Sequence, residues 1–234
     1  MSEIKFTIDG KECRGQSGQT IVEAAKANGV YIPVLCQSEG LKPSGSCRIC
    51  TVRVGGRYMS ACTQPISEGM AVENTAEDLQ DMRRAIVEML FVEGNHMCPT
   101  CEKSGNCELQ ALAYRFAIMA PRFPYLWPNR ATDGSTPKII MESNRCVQCQ
   151  RCVRAIRTRD GKKIFAGRNR SQSTTIVQDQ DLAAKLNDET ARKAMDICPV
   201  GAILKKEVGF EVPIGKRKFD TKPIGADIEE GARR

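Results

Sequence analysis

Cys146-Val147-Gln148-Cys149-Gln150-Arg151-Cys152 is the stretch that decides the fold, read together with Cys198-Pro199-Val200-Gly201-Ala202 far downstream. The first stretch is C-x2-C-x2-C, an iron–sulfur ligand spacing. In a two-cluster arrangement a fourth cysteine follows three residues after the third and serves the other cluster. Here that position is Ile156. Cys198-Pro199 has the form of the closing cysteine of a second such motif. Counting back from Cys198, the other ligands of that motif would be Asp188, Ala191 and Ala194, none of which is a cysteine. One ligand set, Cys146, Cys149, Cys152 and Cys198, is therefore complete, and the other is dismantled. A zinc-binding helix is the competing reading of this spacing.

This unit looks like a two-cluster bacterial ferredoxin that keeps one four-iron (4Fe-4S) centre, and it is expected to occupy residues 131–207. Lys138 to Met141 and Ser173 to Gln178 read as strands, and Asp188 to Ile197 as a helix leading to Cys198. Upstream, Pro121, Pro124 and Pro128 punctuate a linker carrying Tyr125 and Trp127. Downstream, residues 208–234 are rich in Gly, Pro and charge and have no clear period, so they are expected either to be disordered or to wrap a partner.

A second set, H-x-C-x2-C-x5-C, contains His96, the only histidine of the chain, with Cys98, Cys101 and Cys107. It is expected to hold a second four-iron cluster in a helical segment spanning residues 76–120; zinc on three cysteines and one histidine is the alternative. Leu79, Met82, Ile86, Met89 and Leu90 share one helical face. Thr75 is the expected N-cap of that helix and Gly94 its stop, with a second helix expected from Glu108 to Met119. Replacing a thiolate by neutral imidazole removes a negative charge and should raise the potential of this centre.

The first set, C-x10-C-x2-C-x11-C, is Cys36, Cys47, Cys50 and Cys62. Four thiolates suit a two-iron (2Fe-2S) cluster, and only one short C-x2-C knuckle is present where structural zinc usually uses two. Residues 1–75 around it read as a β-grasp ferredoxin-type domain. Ile4, Phe6 and Ile8 alternate, Asp9-Gly10 marks a tight turn, and Lys11 to Arg14 returns. Thr20 and Glu23 form a capping box for a helix ending at Asn28-Gly29, and Thr51 to Val54 before Gly55-Gly56 reads as a further strand. The fold class is thus α+β in three cluster-bearing units.

Eleven of the 12 cysteines are absorbed by these sets, leaving Cys13, expected to be a small buried hydrophobe. Arg48, Arg145, Arg151 and Arg154 lie close to ligands; solvated arginines are the default expectation, and charge neutralisation or docking the alternative. Aromatic residues make up only 5% of the chain, so the clusters must substitute for part of a hydrophobic core. The formal charge of +7 counts ligand thiols as neutral. With two centres at about −2 and one at about −1, the loaded protein sits at roughly +2, which argues against nucleic acid as a partner. A disulfide scaffold would need a secretory context, and the N-terminus has no charged and apolar leader pattern. No apolar run approaches the ~20 residues of a membrane helix. A cytoplasmic location without membrane insertion is the expectation.

The three motifs in this order resemble the N-terminal region of the large iron–sulfur subunit of respiratory complex I, and more closely the diaphorase small (gamma) subunits of soluble NAD-reducing nickel–iron hydrogenases. The resemblance rests on Cys36 to Cys62, on Glu93-Gly94-Asn95-His96-Met97-Cys98-Pro99-Thr100-Cys101 through Cys107, and on Cys146 to Arg154 with Cys198 to Ala202. A complex I subunit would continue into a large molybdopterin-type domain; the size and layout match the hydrogenase subunit. The resemblance implies an electron-transfer role in an H2:NAD+ oxidoreductase, with no substrate-converting site in this chain. It implies a larger flavin/NAD-binding diaphorase subunit and the small and large nickel–iron hydrogenase subunits as partners, which would hold FMN, NAD and nickel. It also implies that the two-iron centre faces the flavin side and that the Cys146 set lies mid-relay. The equivalent subunit of an NAD-dependent formate dehydrogenase or a complex I-like dehydrogenase is the alternative, and a zinc-stabilised interaction module the remote one.

Overall fold

The computed structural model describes residues 2–231. Alternation of Ile4, Phe6 and Ile8 builds β1 (Glu3–Ile8), which pairs antiparallel with β2 (Lys11–Gln16). Asp9 and Gly10 close the hairpin with φ of 48° and 79°, the two left-handed residues a type I′ turn requires. Thr20 caps α1 (Ile21–Ala27) in a reciprocal box with Glu23. The strands β3 (Thr51–Val54), β4 (Arg57–Ser60) and β5 (Ala71–Glu73) complete a five-stranded sheet of order β2-β1-β5-β3-β4, in which β1 and β5 run parallel. This is the β-grasp arrangement. Its core is Phe6, Ile8, Ile21, Ala24, Val52 and Val72 with Cys13, and Cys50 and Cys62 share it.

Two helices follow, α2 (Glu77–Val92) and α3 (Glu108–Arg115). Three expectations are corrected here. The N-cap of α2 is Ala76, without a side-chain cap bond, rather than Thr75. Its buried line is Leu79, Arg83, Val87, Glu88 and Val92, and Met89 is exposed. The apolar period misplaces the face because two buried positions are charged: Arg83 bonds to Asn74 and Thr51, and Glu88 pairs with Arg122 at 2.7 Å. Helix α3 ends at Arg115 rather than Met119, since Ala117 turns left-handed with φ 52°.

The third unit pairs β7 (Ile139–Glu142) with the short β6 (Thr132–Asp133) on one side and with a later strand, β10 (Ile203–Lys205), on the other. Between them lie α4 (Arg151–Ala155), the β8 (Phe165–Arg168) and β9 (Thr175–Gln178) hairpin, α5 (Gln180–Ala184) and α6 (Asp188–Ile197). The expected strand from Ser173 starts at Thr175, because Ser171–Ser173 forms a 3-10 turn. Ala191 and Ala194, two positions of the dismantled motif, are fully buried on α6, so helix side chains fill the space a second ligand set would need. One core joins this unit to α2 and α3, with Leu35 and Ile49 of the first unit in it.

The segment from Val208 does not trail freely, which corrects the expectation of disorder for its described part; residues 232–234 lie outside the described residues. It folds back along the chain. Arg217 donates to the Ser104 carbonyl at 3.3 Å, and the Phe219 amide to that of Gly105 at 2.9 Å. A last helix, α7 (Ala226–Gly231), places Glu229 against Arg115, while Gly225 lies against the Tyr31 ring. The tail therefore straps the second unit to the first.

Candidate metal centres

The first four cysteines lie where the sheet meets α2. Cys36 ends the segment after α1, Cys47 and Cys50 flank the turn into β3, and Cys62 follows β4. Cys36, Cys50 and Cys62 are buried and Cys47 half-buried. The Cys36 thiol lies near those of Cys47 and Cys62, and the Cys50 thiol near that of Cys62. These contacts lower the Cys36 pKa and raise that of Cys62, because a shared proton favours one thiolate at its neighbour's expense. The Cys36 amide points at Cys47 Sγ, 3.4 Å away. Gly45, with φ 64°, makes the bend that carries the loop past Thr63.

His96 follows α2 in the loop before α3. Its ring packs edge-on against Phe91, with centroids 5.3 Å apart. Ring nitrogen Nε2 is buried with no partner, and the nearby Leu90 backbone favours a proton on the ring. Burial pulls the imidazole pKa down to about 4, so it is neutral at pH 7 and Nε2 keeps a free lone pair. A buried imidazole nitrogen without a protein partner is what a ligating histidine needs. Cys107 is the N-cap of α3, where its sulfur accepts from the Gln110 amide at 3.5 Å. Cys98 opens a short 3-10 turn, and Cys101 is buried against the third unit. A Cβ on Gly201 would stand 2.5 Å from Cys101 Sγ. Only glycine at that position lets the segment following Cys198 approach the second set so closely.

Cys146, Cys149, Cys152 and Cys198 all line one predominantly apolar cavity, closed by Met141, Ile176, Val200 and Ile203. Gln148 and Gln150 are left-handed, with φ of 52° and 56°, and wrap the loop around Cys149. Such paired departures from ordinary backbone concentrate where a site demands them. Burial pushes Cys107 and Cys149 up to about 12 and Cys146 up to about 11. In the absence of a cation these thiols are neutral, so loading with iron must expel their protons. Among the described residues, no three or more His, Cys, Asp or Glu side chains surround a single metal-ion position. A lone zinc would need four donors about 2.0–2.3 Å from one point. A vacant buried imidazole nitrogen and a thiol-lined apolar cavity fit a larger inorganic group.

The arginines beside the ligands are not the solvated side chains expected, apart from Arg48, which is exposed. Arg151 is buried and makes a two-pronged pair with Glu108 on α3. Arg154 donates to the carbonyls of Cys36, Lys42 and Cys149. Arg145 is half-buried between Glu102 and the Gly201 carbonyl. Lys103 is buried as well and donates to the Met195 carbonyl at 2.7 Å. Apart from the Arg154–Cys149 bond, 5 residues apart, these contacts span 43 to 118 residues of chain, and no local pattern announces them. Cys13 is buried in the first core, as its isolation from the three sets suggested.

Residues 1–77 match the family described as 2Fe-2S iron-sulfur cluster binding domain. Residues 83–122 match the NADH-ubiquinone oxidoreductase-G iron-sulfur binding region, and 136–204 the ferredoxin-like domain of NADH-quinone oxidoreductase subunit 3. The HoxS subunit gamma of the NAD-reducing hydrogenase of Cupriavidus necator is 46% identical, over 97% of this chain and 98% of its own. The mitochondrial NADH-ubiquinone oxidoreductase 78 kDa subunit of Candida albicans is 32% identical over 90% of this chain, which spans 29% of that protein. Among solved structures, a chain of an NAD+-reducing NiFe hydrogenase in the H2-reduced state superposes with a TM-score of 0.89, at 40% identity, covering 95% of this chain and 96% of that one. No described helix is long and apolar enough to cross a membrane. The chain belongs to the family of NAD-reducing hydrogenase gamma subunits, iron–sulfur electron-transfer components of an oxidoreductase complex.

Proposed function

We propose that this chain relays electrons between a flavin- and NAD-binding diaphorase subunit and the two subunits of a nickel–iron hydrogenase module in the cytoplasm. Cys36, Cys47, Cys50 and Cys62 would hold one 2Fe-2S cluster. His96, Cys98, Cys101 and Cys107 would hold a 4Fe-4S cluster, and Cys146, Cys149, Cys152 and Cys198 a second. Bound clusters supply one-electron storage at potentials set by ligand type, burial and hydrogen bonding. The three units proposed to carry them are residues 1–75, 76–120 and 131–207, with 208–234 as a strap.

The observation that carries this reading is the physical continuity of the three sets. Arg154 joins the carbonyls of Cys36 and Cys149, and Gly201 joins the Cys198 segment to Cys101. Arg154 and Gly201 link the segments that carry the three proposed sets, and an apolar lining surrounds the Cys146 set. Continuity from the first set to the third, and from the third to the second, supports a mid-relay position for the Cys146 set. Similarity to NADH dehydrogenase subunits favours a complex I-like partner as the second reading.

The deciding experiment is purification of the native assembly under anaerobic conditions. About ten irons with matching sulfide per chain, together with a flavin subunit and a nickel subunit, are expected. Colourless protein with about three zincs would overturn the cluster assignment. A flavin subunit and quinone-reducing partners without nickel would favour the second reading.

A further inference from the structure

Helix α2 carries a charge into the interior. Arg83 is 1% exposed. Its Nη1 donates to the Asn74 carbonyl at 2.9 Å, and its Nη2 to the Thr51 carbonyl and to Asn74 Oδ1, both at 2.8 Å. All three acceptors are neutral, and Nε has no partner. A buried guanidinium held only by neutral acceptors is costly unless an anion lies nearby. Burial lowers its pKa to about 10, so it stays charged at neutral pH.

The anions near Arg83 come from two elements. Cys50 and, from the β1–β2 turn, Asp9 favour its charged form, as an ionised Tyr31 would, while Arg115 on α3 opposes it. Asp9 accepts only from the neutral amides of Asn74 and Thr75, so it keeps its charge and offsets part of the guanidinium's. The Thr51 carbonyl that anchors Nη2 belongs to the residue directly after Cys50. The guanidinium is thus fastened to the strand that presents a ligand of the first set. A four-thiolate two-iron site carries about −2 when oxidised and about −3 once one electron is added, with no proton required. A cation fixed beforehand in a low-dielectric site stabilises the second state more than the first.

We infer that Arg83 is the buried counter-charge of the first donor set and holds its two-iron centre at a higher reduction potential than the same thiolates would give without it. The inference rests on the proposed cluster assignment for Cys36, Cys47, Cys50 and Cys62. Arg83 acts through the field it imposes and through Thr51; it is a positioning residue, not a ligand.

The test is an EPR-monitored redox titration of the full chain in its assembled complex, comparing wild type with Arg83→Met, Arg83→Gln and Arg83→Lys. At a fixed potential the reduced-to-oxidised ratio of the two-iron signal should fall at least tenfold in the Met and Gln proteins, a downward midpoint shift of about 59 mV for a one-electron couple. The Lys protein should stay within threefold of wild type, and the four-iron signals should not move in any of the three. Unshifted Met and Gln midpoints with the signal intact would overturn the inference. So would a Lys protein shifted as far as Met, because hydrogen-bond geometry rather than charge would then be responsible. If neither neutral variant assembles, the Lys protein decides. Its buried ammonium loses its proton as pH rises, so its midpoint should fall across pH 7 to 9 while that of wild type stays flat below the arginine's own pKa of about 10, and a flat Lys profile would overturn the idea. A wild-type protein with no two-iron signal would instead refute the cluster assignment and leave Arg83 without a role.

Discussion

Arg151 and Glu108 form a two-pronged ion pair, Nη1 to Oε1 at 2.8 Å and Nη2 to Oε2 at 2.6 Å, with the arginine side chain 4% exposed. The pair clamps α4, which carries Cys152, to the first turn of α3, which follows Cys107. The Glu108 amide meanwhile donates to the Pro199 carbonyl at 2.8 Å, so one residue touches both motif segments of the third unit. Removing one member of a buried pair strands the other charge, at a cost of about 3–5 kcal/mol. Arg151→Met should therefore lower the apparent Tm by roughly 6–20 °C, read by calorimetry of the loaded protein. The double variant Arg151→Met/Glu108→Leu should lose less than the sum of the two single changes, because neither charge is left unpaired. Strict additivity would show that the pair does not couple the two units.

Arg154 makes the corresponding clamp between the first and third units. Its guanidinium donates to the carbonyls of Lys42 at 2.6 Å and Cys149 at 3.1 Å, and to that of Cys36. Lysine has no planar fork with which to hold three carbonyls on two segments. Arg154→Lys and Arg154→Met should both raise hydrogen exchange across residues 37–46 and speed loss of the two-iron signal under chelator, several-fold more than they affect the His96 set. Equal loss from all three sets would mean that Arg154 supports the whole molecule rather than this junction.

Local chemistry made some of this legible in the sequence. The β1–β2 hairpin follows from alternation and Asp9-Gly10, α1 from a reciprocal cap, and the C-x2-C runs within the proposed donor sets stand out by their spacing. Each of these signals acts over a few residues. What escaped the sequence acts over many. The buried face of α2 contains Arg83 and Glu88, charges tolerated only because Thr51, Asn74 and Arg122 reach them from other segments. The tail has no period because it carries no core of its own; it is held by the Arg217 guanidinium on the Ser104 carbonyl, the Phe219 amide on that of Gly105 and the Lys218 amide on Asn106 Oδ1. Gly201 reads as part of a cysteine-proline motif, and only the folded chain shows that its missing side chain makes room for Cys101.

That room can be tested. Gly201→Ala places a methyl group 2.5 Å from Cys101 Sγ, and the nearby Lys103 Cβ at 3.3 Å leaves little space for relief. The variant should lose the signal of the His96 set while keeping that of the Cys146 set, although position 201 adjoins Cys198 in sequence. His96→Cys should keep a four-iron signal with a lower midpoint, since a thiolate adds the negative charge that the neutral imidazole lacks. An unchanged or higher midpoint in redox titration would count against the charge argument.

The strap has a charge-dependent anchor. Asp220 accepts from the amides of Gly215 at 2.7 Å and Arg217 at 3.0 Å and pairs with the Arg217 guanidinium at 2.8 Å. The Arg217 bonds hold its pKa down to about 2, below the usual aspartate value of about 3.9. A carboxylate depressed on folding contributes stability that is complete above its unfolded pKa and is lost as pH falls through the folded one. Hydrogen exchange in residues 215–220 should therefore be protected at neutral pH and rise as pH drops from about 4 to 2, after correction for intrinsic rates. Asp220→Asn should produce the same release at neutral pH, seen as faster tryptic cleavage after Lys216, Arg217 or Lys218. An Asp220→Asn protein cleaved at the wild-type rate would show that the backbone bonds to the second unit suffice.

Cys198 and Cys13 give the sharpest contrast, because both are buried cysteines far in sequence from the nearest C-x2-C run. Cys198 leaves α6 as its C-cap and faces the cavity lined by Cys146, Cys149 and Cys152. Cys13 lies on β2 among Phe6, Ile8 and Ile21, and its thiol donates to the Lys11 carbonyl at 3.5 Å. Cys198→Ser should remove or convert the third cluster, lowering iron by up to about four per chain and abolishing one EPR signal. Cys13→Ser buries a hydroxyl where a weakly polar sulfur stood, so it should cost about 1–3 kcal/mol of stability and leave iron unchanged. An intact third-cluster signal in the Cys198→Ser protein would break the proposed ligand grouping, because it would mean that three cysteines of one loop suffice and that the distant Cys198-Pro199 is a remnant of the dismantled site.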